Sequence, residues 1–287
     1  MITENETDAI YFSKHLKVDS RSSKVCKQIS DILDSFNITY GFLPNTNDIW
    51  ARDYMPIQVS VNKYIEYRYD PDYLQGKAKG RRDLKTYPDL VCDAIKLKTV
   101  KSNILLDGGN VVRSSNSIIL TDKVVIENAQ FYSREELVKE LKALFDVDIV
   151  VLIPWDYTEE EYGHSDGMIR FIDNDTVLVQ GYFDDYDDTF KQKLFGSLEQ
   201  NGLKWEKMKF DVKKEDDNNW AYLNFLQTKD LILLPALGID EDEQALEQIK
   251  TYFPTYAIRD RIQQINVSEI VKKGGGGLNC ISWNIKL

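Results

Sequence analysis

The residues most suited to chemistry lie near the end of the sequence, where the glycine run 274–277 is followed by Leu278, Asn279 and Cys280. Glycine permits close backbone approach, so this run could wrap around a ligand. Cys280 at its edge would then be placed as a nucleophile. The alternative is a flexible turn before a last strand, with Cys280 as a small core residue, because free cysteine is often buried.

Four other loops place polar side chains at a similar interval. The marked residues are 54, 57, 60 and 56 positions apart, close to one fifth of the 287 residues: Asp53, Asp107, His164, Asn224 and Cys280. Each interval reads as a helix, a strand, a polar loop and then a strand or hairpin. Five such units would close into a ring. The loops that follow equivalent strands would then meet around one cleft at an end of the central axis.

The elements that must position these loops follow from hydrophobic periodicity. The sequence predicts helices over Ser23–Phe36, Asp89–Leu97, Arg134–Phe145 (with Ser133 as N-cap), Thr189–Gln200 and Asp242–Tyr252. It predicts strands over Asn37–Leu43, Ile57–Tyr67, Ser102–Leu106, Val111–Arg113, Ser117–Leu120, Asp148–Ile153, Met168–Ile172, Thr176–Gln180, Lys204–Phe210, Leu231–Leu234, Tyr256–Ile258 and Ile262–Val267. Residues 1–287 are expected to form a single α/β domain.

Composition restricts the function classes. Apolar residues make up 43% of the chain, and no run approaches the roughly 18 apolar residues that would span a bilayer. The polar, acidic start predicts no signal peptide. Three cysteines, an odd number, argue against a disulfide framework and indicate a reducing compartment, so we expect a cytoplasmic protein. Two histidines without paired cysteines give no zinc motif, so no metal is expected.

The charge balance points to a cationic partner. The net charge of −11 disfavours nucleic acid and anionic membrane surfaces. The five loops contain a thiol, an imidazole and several carboxylates, and Arg52 is the only cation beside a motif. A guanidinium group, a planar cation with several N–H donors, is best held by carboxylates such as Asp53 and Asp166. Trp50 could stack on that cation or could pack in the core.

Other candidates have simpler interpretations. The basic segment 70–87 is either a solvated loop or a mobile lid. Cys26 and Cys92 lie on helical segments and are expected in the core, and His15 is expected at the surface.

Taken in order, the loop motifs resemble those of the agmatine deiminase and bacterial peptidylarginine deiminase family. The matching stretches are Trp50 to Pro56, Asp107 to Asn110, Gly163 to Asp166, Tyr222 to Phe225 and Gly275 to Cys280. The resemblance covers about residues 40 to 285 and implies the five-bladed α/β-propeller (pentein) fold of ββαβ repeats. It also implies four catalytic residues, namely Cys280 as nucleophile, His164 as general acid and base, and Asp53 and Asp166 as guanidinium-binding carboxylates. Expected around them as substrate-binding residues are Trp50, Asp107, Asn110, Asn224, Gly276 and Gly277.

The resemblance further implies a hydrolase that converts the guanidinium of agmatine, or of a related arginine derivative, to a ureido group and ammonia. The reaction would pass through a covalent thiouronium on Cys280, need no cofactor, and serve putrescine biosynthesis. Met55 and Asn279 depart from the family pattern and are expected to line the pocket. An amidinotransferase, a non-catalytic guanidino-compound binder and a cysteine protease are the alternatives. The protease assigns no role to the two carboxylates. Nothing in the sequence indicates the oligomeric state.

Overall fold

The structure is a computed structural model that describes residues 1–20, 22–75, 81–157, 161–212 and 221–287. Fifteen strands are found in this part of the chain. They are β1 Ala9–Ser13, β2 Thr39–Leu43, β3 Ile57–Ser60, β4 Lys63–Arg68, β5 Val100–Leu105, β6 Val112–Arg113, β7 Ser117–Thr121, β8 Ile149–Ile153, β9 Ile169–Phe171, β10 Thr176–Gln180, β11 Lys204–Met208, β12 Leu226–Gln227, β13 Ile232–Ala236, β14 Ile262–Asn266 and β15 Ser282–Ile285.

The strands form five three-stranded sheets with one shared topology. Within each sheet the first strand pairs antiparallel with the second, and the second pairs parallel with the third. The sheets are β3-β4-β5, β6-β7-β8, β9-β10-β11, β12-β13-β14 and β15-β1-β2. The fifth sheet joins the last strand of the chain to the first two, which closes the ring. The predicted five-bladed ring of ββαβ units is confirmed.

Helices make the parallel crossovers within the blades, as parallel pairing requires. The helices in the described residues are α1 His15–Val18, α2 Ser23–Ser35, α3 Ala51–Tyr54, α4 Pro88–Ala94, α5 Lys123–Asn128, α6 Arg134–Phe145, α7 Asp188–Gln200, α8 Glu241–Tyr252, α9 Pro254–Ala257 and α10 Ser268–Gly274. Helix α6 begins after the predicted Ser133, which accepts a hydrogen bond from the Glu136 amide while the Glu136 carboxylate accepts one from the Ser133 amide.

The core consists of apolar side chains between each sheet and its helices. In α2, for example, Val25, Ile29 and Leu33 recur at helical spacing and are at most 5% exposed. Cys26 and Cys92 are buried, as predicted. Within the described ranges no helix combines the length and apolarity needed to cross a membrane.

Some predicted elements are wrong. The single strand over Ile57–Tyr67 is a hairpin, because residues 61 and 62 form a turn between β3 and β4. The strand expected at Tyr256–Ile258 is instead the end of α9. Strand β1 has no counterpart among the predicted elements.

Two expected loops extend beyond the described residues. The acidic loop predicted before the Tyr222 motif, Lys214–Asn219, lies outside them entirely. The same is true of residues 76–80 within the candidate lid at 70–87.

Candidate active site

A cavity of about 430 Å³ lies where the turns before the first strands of the blades come together. Short helical turns precede the first strand of the blades and carry the cavity's polar side chains. The described residues that line it are Asp48, Trp50, Asp53, Tyr69, Tyr73, Leu74, Arg81, Leu84, Tyr162, His164, Asp166, Gly167, Met168, Tyr182, Ala221, Asn224, Gly275, Gly276 and Cys280. The four predicted catalytic residues therefore meet in one cavity.

Asn224 holds the loop that carries Cys280. Its side-chain oxygen accepts hydrogen bonds from the backbone amides of Gly277 at 3.0 Å and Cys280 at 3.1 Å, and its carbonyl accepts one from Asn279 at 3.0 Å. Gly276 lies between Cys280 and Trp50, where a Cβ atom would be 2.5 Å from the indole ring and 3.1 Å from Sγ of Cys280. Glycine is therefore needed here for the close approach of the loop to Trp50.

Asp166 lies directly beside the thiol. The Sγ atom of Cys280 is 3.5 Å from Oδ2 of Asp166, and Asn279 donates to the same oxygen from its Nδ2 at 2.7 Å. Asp166 is 2% exposed, so its carboxylate is fixed and largely removed from bulk water. Asn279 thus contacts Asp166 from outside the cavity lining. The prediction that Asn279 lines the pocket is wrong.

His164 lies between two carboxylates. Its Nε2 is 3.0 Å from Oδ2 of Asp107, and its Nδ1 is 3.8 Å from Oδ1 of Asp53. The hydroxyl of Tyr73 donates to Asp107 at 2.9 Å. The Asp53 backbone is anchored by Tyr67, whose hydroxyl donates to the Asp53 carbonyl at 2.6 Å. Asp107 orients the imidazole through Nε2 and does not line the cavity, so it is not in the position predicted for a substrate-binding residue.

Burial and the neighbouring carboxylates together shift the pKa of each reactive group. Burial opposes the charged form of His164, but Asp53, Asp107 and Asp166 raise its pKa to about 10. Burial, and then the neighbouring carboxylates Asp166 and Asp53, raise the pKa of the Cys280 thiol well above its ordinary value. The pKa of Asp53 is likewise raised well above normal, chiefly by burial, with His164 opposing the shift. The site therefore favours the binding of a cation.

Asp48 is a site residue that the sequence interpretation missed. It lines the cavity, and burial raises the pKa of its carboxyl to about 7 against the hydrogen bond that it accepts from the Trp50 amide. The sequence signal that could have identified Asp48 is its position two residues before Trp50, which begins the first motif. Tyrosines at positions 69, 73, 162 and 182 line the same cavity and are also missing from the predicted site.

Several predicted positions do not reach the cavity. The side chain of Asn110 turns away and accepts a hydrogen bond from the Thr121 amide at 2.8 Å, which ties the turn before β6 to β7. Gly277 contributes its amide to Asn224 and does not line the cavity. Met55 is 1% exposed and packs in the apolar core, so it does not line the pocket either.

Two cationic side chains differ in their relation to the cavity. Arg52 points away from it and pairs with Glu4. Arg81 lines the mouth and pairs with Glu161 at 2.5 Å. In the described ranges no cluster of three or more His, Cys, Asp or Glu side chains has the arrangement of a metal site.

A ring of five ββαβ blades with such a cavity defines the five-bladed α/β-propeller, or pentein, class. An Enterococcus faecalis agmatine deiminase structure shares this fold with a TM-score of 0.72 and 19% identity, covering 99% of this chain and 94% of the other. The Pseudomonas aeruginosa protein DDAH shares it with a TM-score of 0.59 and 12% identity, covering 97% and 99%.

Sequence comparison then specifies the family. The profile of the Porphyromonas-type peptidyl-arginine deiminases matches residues 8–285, and the chain belongs to that family. A relative from Enterococcus faecalis, provisionally named agmatine deiminase, is 28% identical over an alignment of 281 residues, and the match covers 83% of this chain and 74% of the relative. The family predicted from the loop motifs is confirmed.

Proposed function

We propose that this protein is a deiminase, a hydrolase of carbon–nitrogen bonds that converts the guanidinium of agmatine to a ureido group and ammonia. The observation that carries the proposal is the meeting of Cys280, His164, Asp53 and Asp166 in one cavity. The thiol is the nucleophile, the imidazole is the proton carrier, and the carboxylates are the counter-charges for a guanidinium. The similarity to relatives named agmatine deiminase supports this choice of substrate.

The side chains of the cavity favour a substrate without a carboxylate. Asp48, Asp53 and Asp166 line it. Among the described residues of the lining, the cationic side chain other than His164 is Arg81, and Arg81 is already paired with Glu161. Free arginine would bring an α-carboxylate that needs an unpaired cation. Agmatine instead brings a second cation, its ammonium group, for which the half-buried Asp48 in the cavity lining is a suitable partner. We therefore infer a preference for agmatine over arginine.

Binding orients the guanidinium carbon toward the thiol. Oδ1 of Asp53 is buried and accepts no hydrogen bond from the described residues, so it is available to the N–H groups of a substrate. Asp166 contacts the thiol itself and can hold a second edge of the guanidinium plane. Two carboxylates on two edges of a planar cation fix both its position and its tilt.

The chemical steps then balance as follows. Cys280 releases its thiol proton to water when the guanidinium binds, its Sγ forms a bond to the guanidinium carbon, one C–N bond breaks, and His164 gives a proton to the departing ammonia. Water attacks the resulting thiouronium carbon and His164 takes a proton from that water. The C–S bond breaks, the leaving thiolate takes the remaining hydroxyl proton and becomes the thiol again, and N-carbamoylputrescine is released. The sum is agmatine plus water to ureido product plus ammonia, and this product would serve putrescine biosynthesis.

The substrate itself supplies part of the activation. In the unliganded site, burial and then Asp166 and Asp53 keep the proton on Cys280. A bound guanidinium offsets those negative charges and favours the thiolate. Such a thiol must also stay reduced, and all three cysteines are free, so we propose a reducing compartment, the cytoplasm, as the location.

The test is the release of ammonia and ureido product from agmatine, arginine, dimethylarginine and an arginine peptide. We expect agmatine to be the best substrate. Cys280→Ala should lower kcat by about 10⁴-fold or more. The matched control is Cys26→Ala, which removes a buried thiol outside the site and should keep the wild-type rate. A folded wild-type protein that releases no ammonia from any of the four would contradict the proposal and favour an amidinotransferase or a binding protein.

A further inference from the structure

The first strand of each blade carries a buried polar residue at an equivalent position, and these five residues are here called the axial ring. Each follows an apolar residue on the same strand, and all are less than 9% exposed. In β6, for example, Arg113 pairs in register with Ile118, and in β9 Arg170 pairs with Leu178. The ring consists of Gln58, Arg113, Arg170, Gln227 and Asn284, and the last four are spaced by 57 residues each.

One carboxylate from a distant part of the sequence enters this ring. Glu4 accepts hydrogen bonds from Nη1 of Arg52 at 3.0 Å and from Nδ2 of Asn284 at 3.1 Å. Nη2 of Arg113 lies 2.9 Å from its Oε1. Glu4 is thus surrounded by donors from three parts of the propeller. It is presented by a short 3-10 turn, Glu4–Glu6.

The surroundings of Glu4 are those of an anion site. Arg52, Arg113 and Arg170 are all about 5–7% exposed. Three of their nitrogens, Nε and Nη2 of Arg113 and Nη2 of Arg170, have no hydrogen-bond partner among the described residues, although Nη2 of Arg113 lies within ion-pair distance of Glu4. Burial opposes the ionised form of Glu4, yet Arg113, Arg52 and Arg170 lower its pKa to about 2. A carboxylate therefore binds here in its charged form.

A second cavity makes this cluster accessible. Its volume is about 450 Å³, and it is lined by Glu4, Arg113 and Arg170 together with Asp166 and Asn279. Cys280, Trp50 and Asp53 line only the first cavity. Asp166 lines both, so the second cavity reaches the active site from behind.

Two short routes connect Glu4 with the nucleophile loop. Arg52, the partner of Glu4, donates from Nε to the Asn279 carbonyl at 3.4 Å and from its backbone amide to the Cys280 carbonyl at 3.0 Å. Arg170 donates from Nη1 to Oδ1 of Asn279 at 3.2 Å. Asn279 in turn donates to Asp166, which contacts the thiol.

We propose that Arg52 and three members of the axial ring, Arg113, Arg170 and Asn284, form a carboxylate-binding site, that the chain fills this site with its own Glu4, and that the bound carboxylate positions Asn279 and Cys280 through Arg52. Glu4 is a positioning residue in this scheme and does not touch the substrate. A protein lacking the Glu4 side chain should accept a small free carboxylate, such as formate or acetate, in its place.

The experiment uses the full chain with Glu4→Ala and Glu4→Gln. Unfolding temperature and kcat/KM for ammonia release from agmatine are measured with no additive, with formate, and with neutral formamide at the same ionic strength. We expect Glu4→Ala to unfold roughly 5–10 °C lower and to lose roughly ten- to 100-fold in kcat/KM. Formate should restore both quantities in a saturable manner, and formamide neither. The matched control is Glu6→Gln, on the same turn but paired with Lys286, which should show neither defect nor rescue.

The outcomes separate this proposal from the deiminase proposal, on which its kinetic part rests. If formate fails to raise the unfolding temperature of Glu4→Ala, the carboxylate site is wrong, whatever the activity. If Glu4→Ala is less stable but keeps its kcat/KM, the positioning role is wrong. If wild type has no activity, the formate-dependent unfolding temperature still tests the site. Should Glu4→Ala not fold, Glu4→Gln, which keeps the shape and loses the charge, must show the loss in kcat/KM for the positioning role to stand.

Discussion

Two clusters of buried charge, here called the acidic end and the arginine end, have opposite sign and solve the problem of buried charge differently. At the acidic end, Asp53, Asp107 and Asp166 surround one imidazole, and Asp48 acts on Asp53. At the arginine end, Arg52, Arg113 and Arg170 surround Glu4. The first end has an excess of carboxylates around an open cavity, and the second has its counter-charge built in.

The difference shows which end is available to a ligand. Buried charges are costly unless they are paired. At the arginine end Glu4 pairs with Arg52 and Arg113 from within the chain, so the end can serve as a fixed support. At the acidic end His164 is the cation among the four carboxylates, so a substrate cation improves the electrostatic balance when it binds. Asn279 joins the two ends, since it contacts Arg52, Arg170 and Asp166.

Among the variants that test this comparison, the largest effect should come from removing charge at the acidic end, with Asp166→Asn. This variant takes away the carboxylate that contacts the thiol, so we expect a loss of about 10²- to 10³-fold in kcat/KM for agmatine. Steady-state ammonia release measures it. The same substitution at Asp175, an exposed residue after the β9 strand, is the control and should have no effect. Wild-type activity in Asp166→Asn would show that the two ends do not differ in function.

A smaller effect should follow from separating two members of the acidic end without changing any charge. A Cβ atom on Gly109 would lie 2.6 Å from both Oδ1 of Asp53 and Nδ1 of His164. Gly109→Ala should therefore push the imidazole and the carboxylate apart and lower kcat/KM by roughly ten- to 100-fold. Kinetics measure the loss, and circular dichroism checks that the fold survives.

Gly167→Ala is the matched control for that steric change. Gly167 also lines the cavity and belongs to the equivalent turn of the next blade, but a Cβ atom there would meet nothing within 4 Å. It should retain wild-type kinetics. Equal losses in the two alanine variants would mean that turn flexibility, rather than the spacing between Asp53 and His164, controls the rate.

The sequence predicts the ring well because each blade repeats a pattern of apolar residues. Helix α6 and strand β10 have the predicted bounds, since their periodicity and capping signals are local. The hairpin of β3 and β4 resembles one strand in the sequence because residues 61 and 62 lack the glycine that marks a tight turn. Strand β1 escapes prediction because its role, pairing with the distant β15, depends on ring closure.

The site residues can be predicted from the sequence only where the residue type itself indicates a chemical role. A thiol, an imidazole and carboxylates beside glycines are recognisable from the sequence alone. The orientation of a side chain is not, and so Asn110 and Met55 are expected at the pocket although the first turns away and the second packs in the core. The axial ring is hard to recognise in the sequence because its positions carry arginine, glutamine or asparagine and, apart from the 57-residue spacing of four of them, share only a buried position on the first strand of each blade.

The smallest expected effect is a change in the pKa of His164. Because Asp53, Asp107 and Asp166 outweigh burial, its pKa in the folded protein is about 10, against an ordinary value of 6.5. The charged imidazole therefore stabilises the fold fully below pH 6.5, and this contribution is lost as the pH rises toward 10. Asp107→Asn removes the carboxylate bonded to Nε2 and should lower the pKa of His164 by roughly one to three units.

NMR titration of labelled histidine from about pH 5 to 11 measures this shift directly, since the chain has only two histidines. His15→Gln, on α1 at a distance in sequence from every site motif, assigns the remaining signal to His164. Unfolding by denaturant should show a shallower fall in stability between pH 6.5 and 10 for Asp107→Asn than for wild type. A His164 signal that titrates near 6.5 in the wild-type protein would mean that the acidic end does not hold a cation of its own, and that its carboxylates are balanced only when substrate binds.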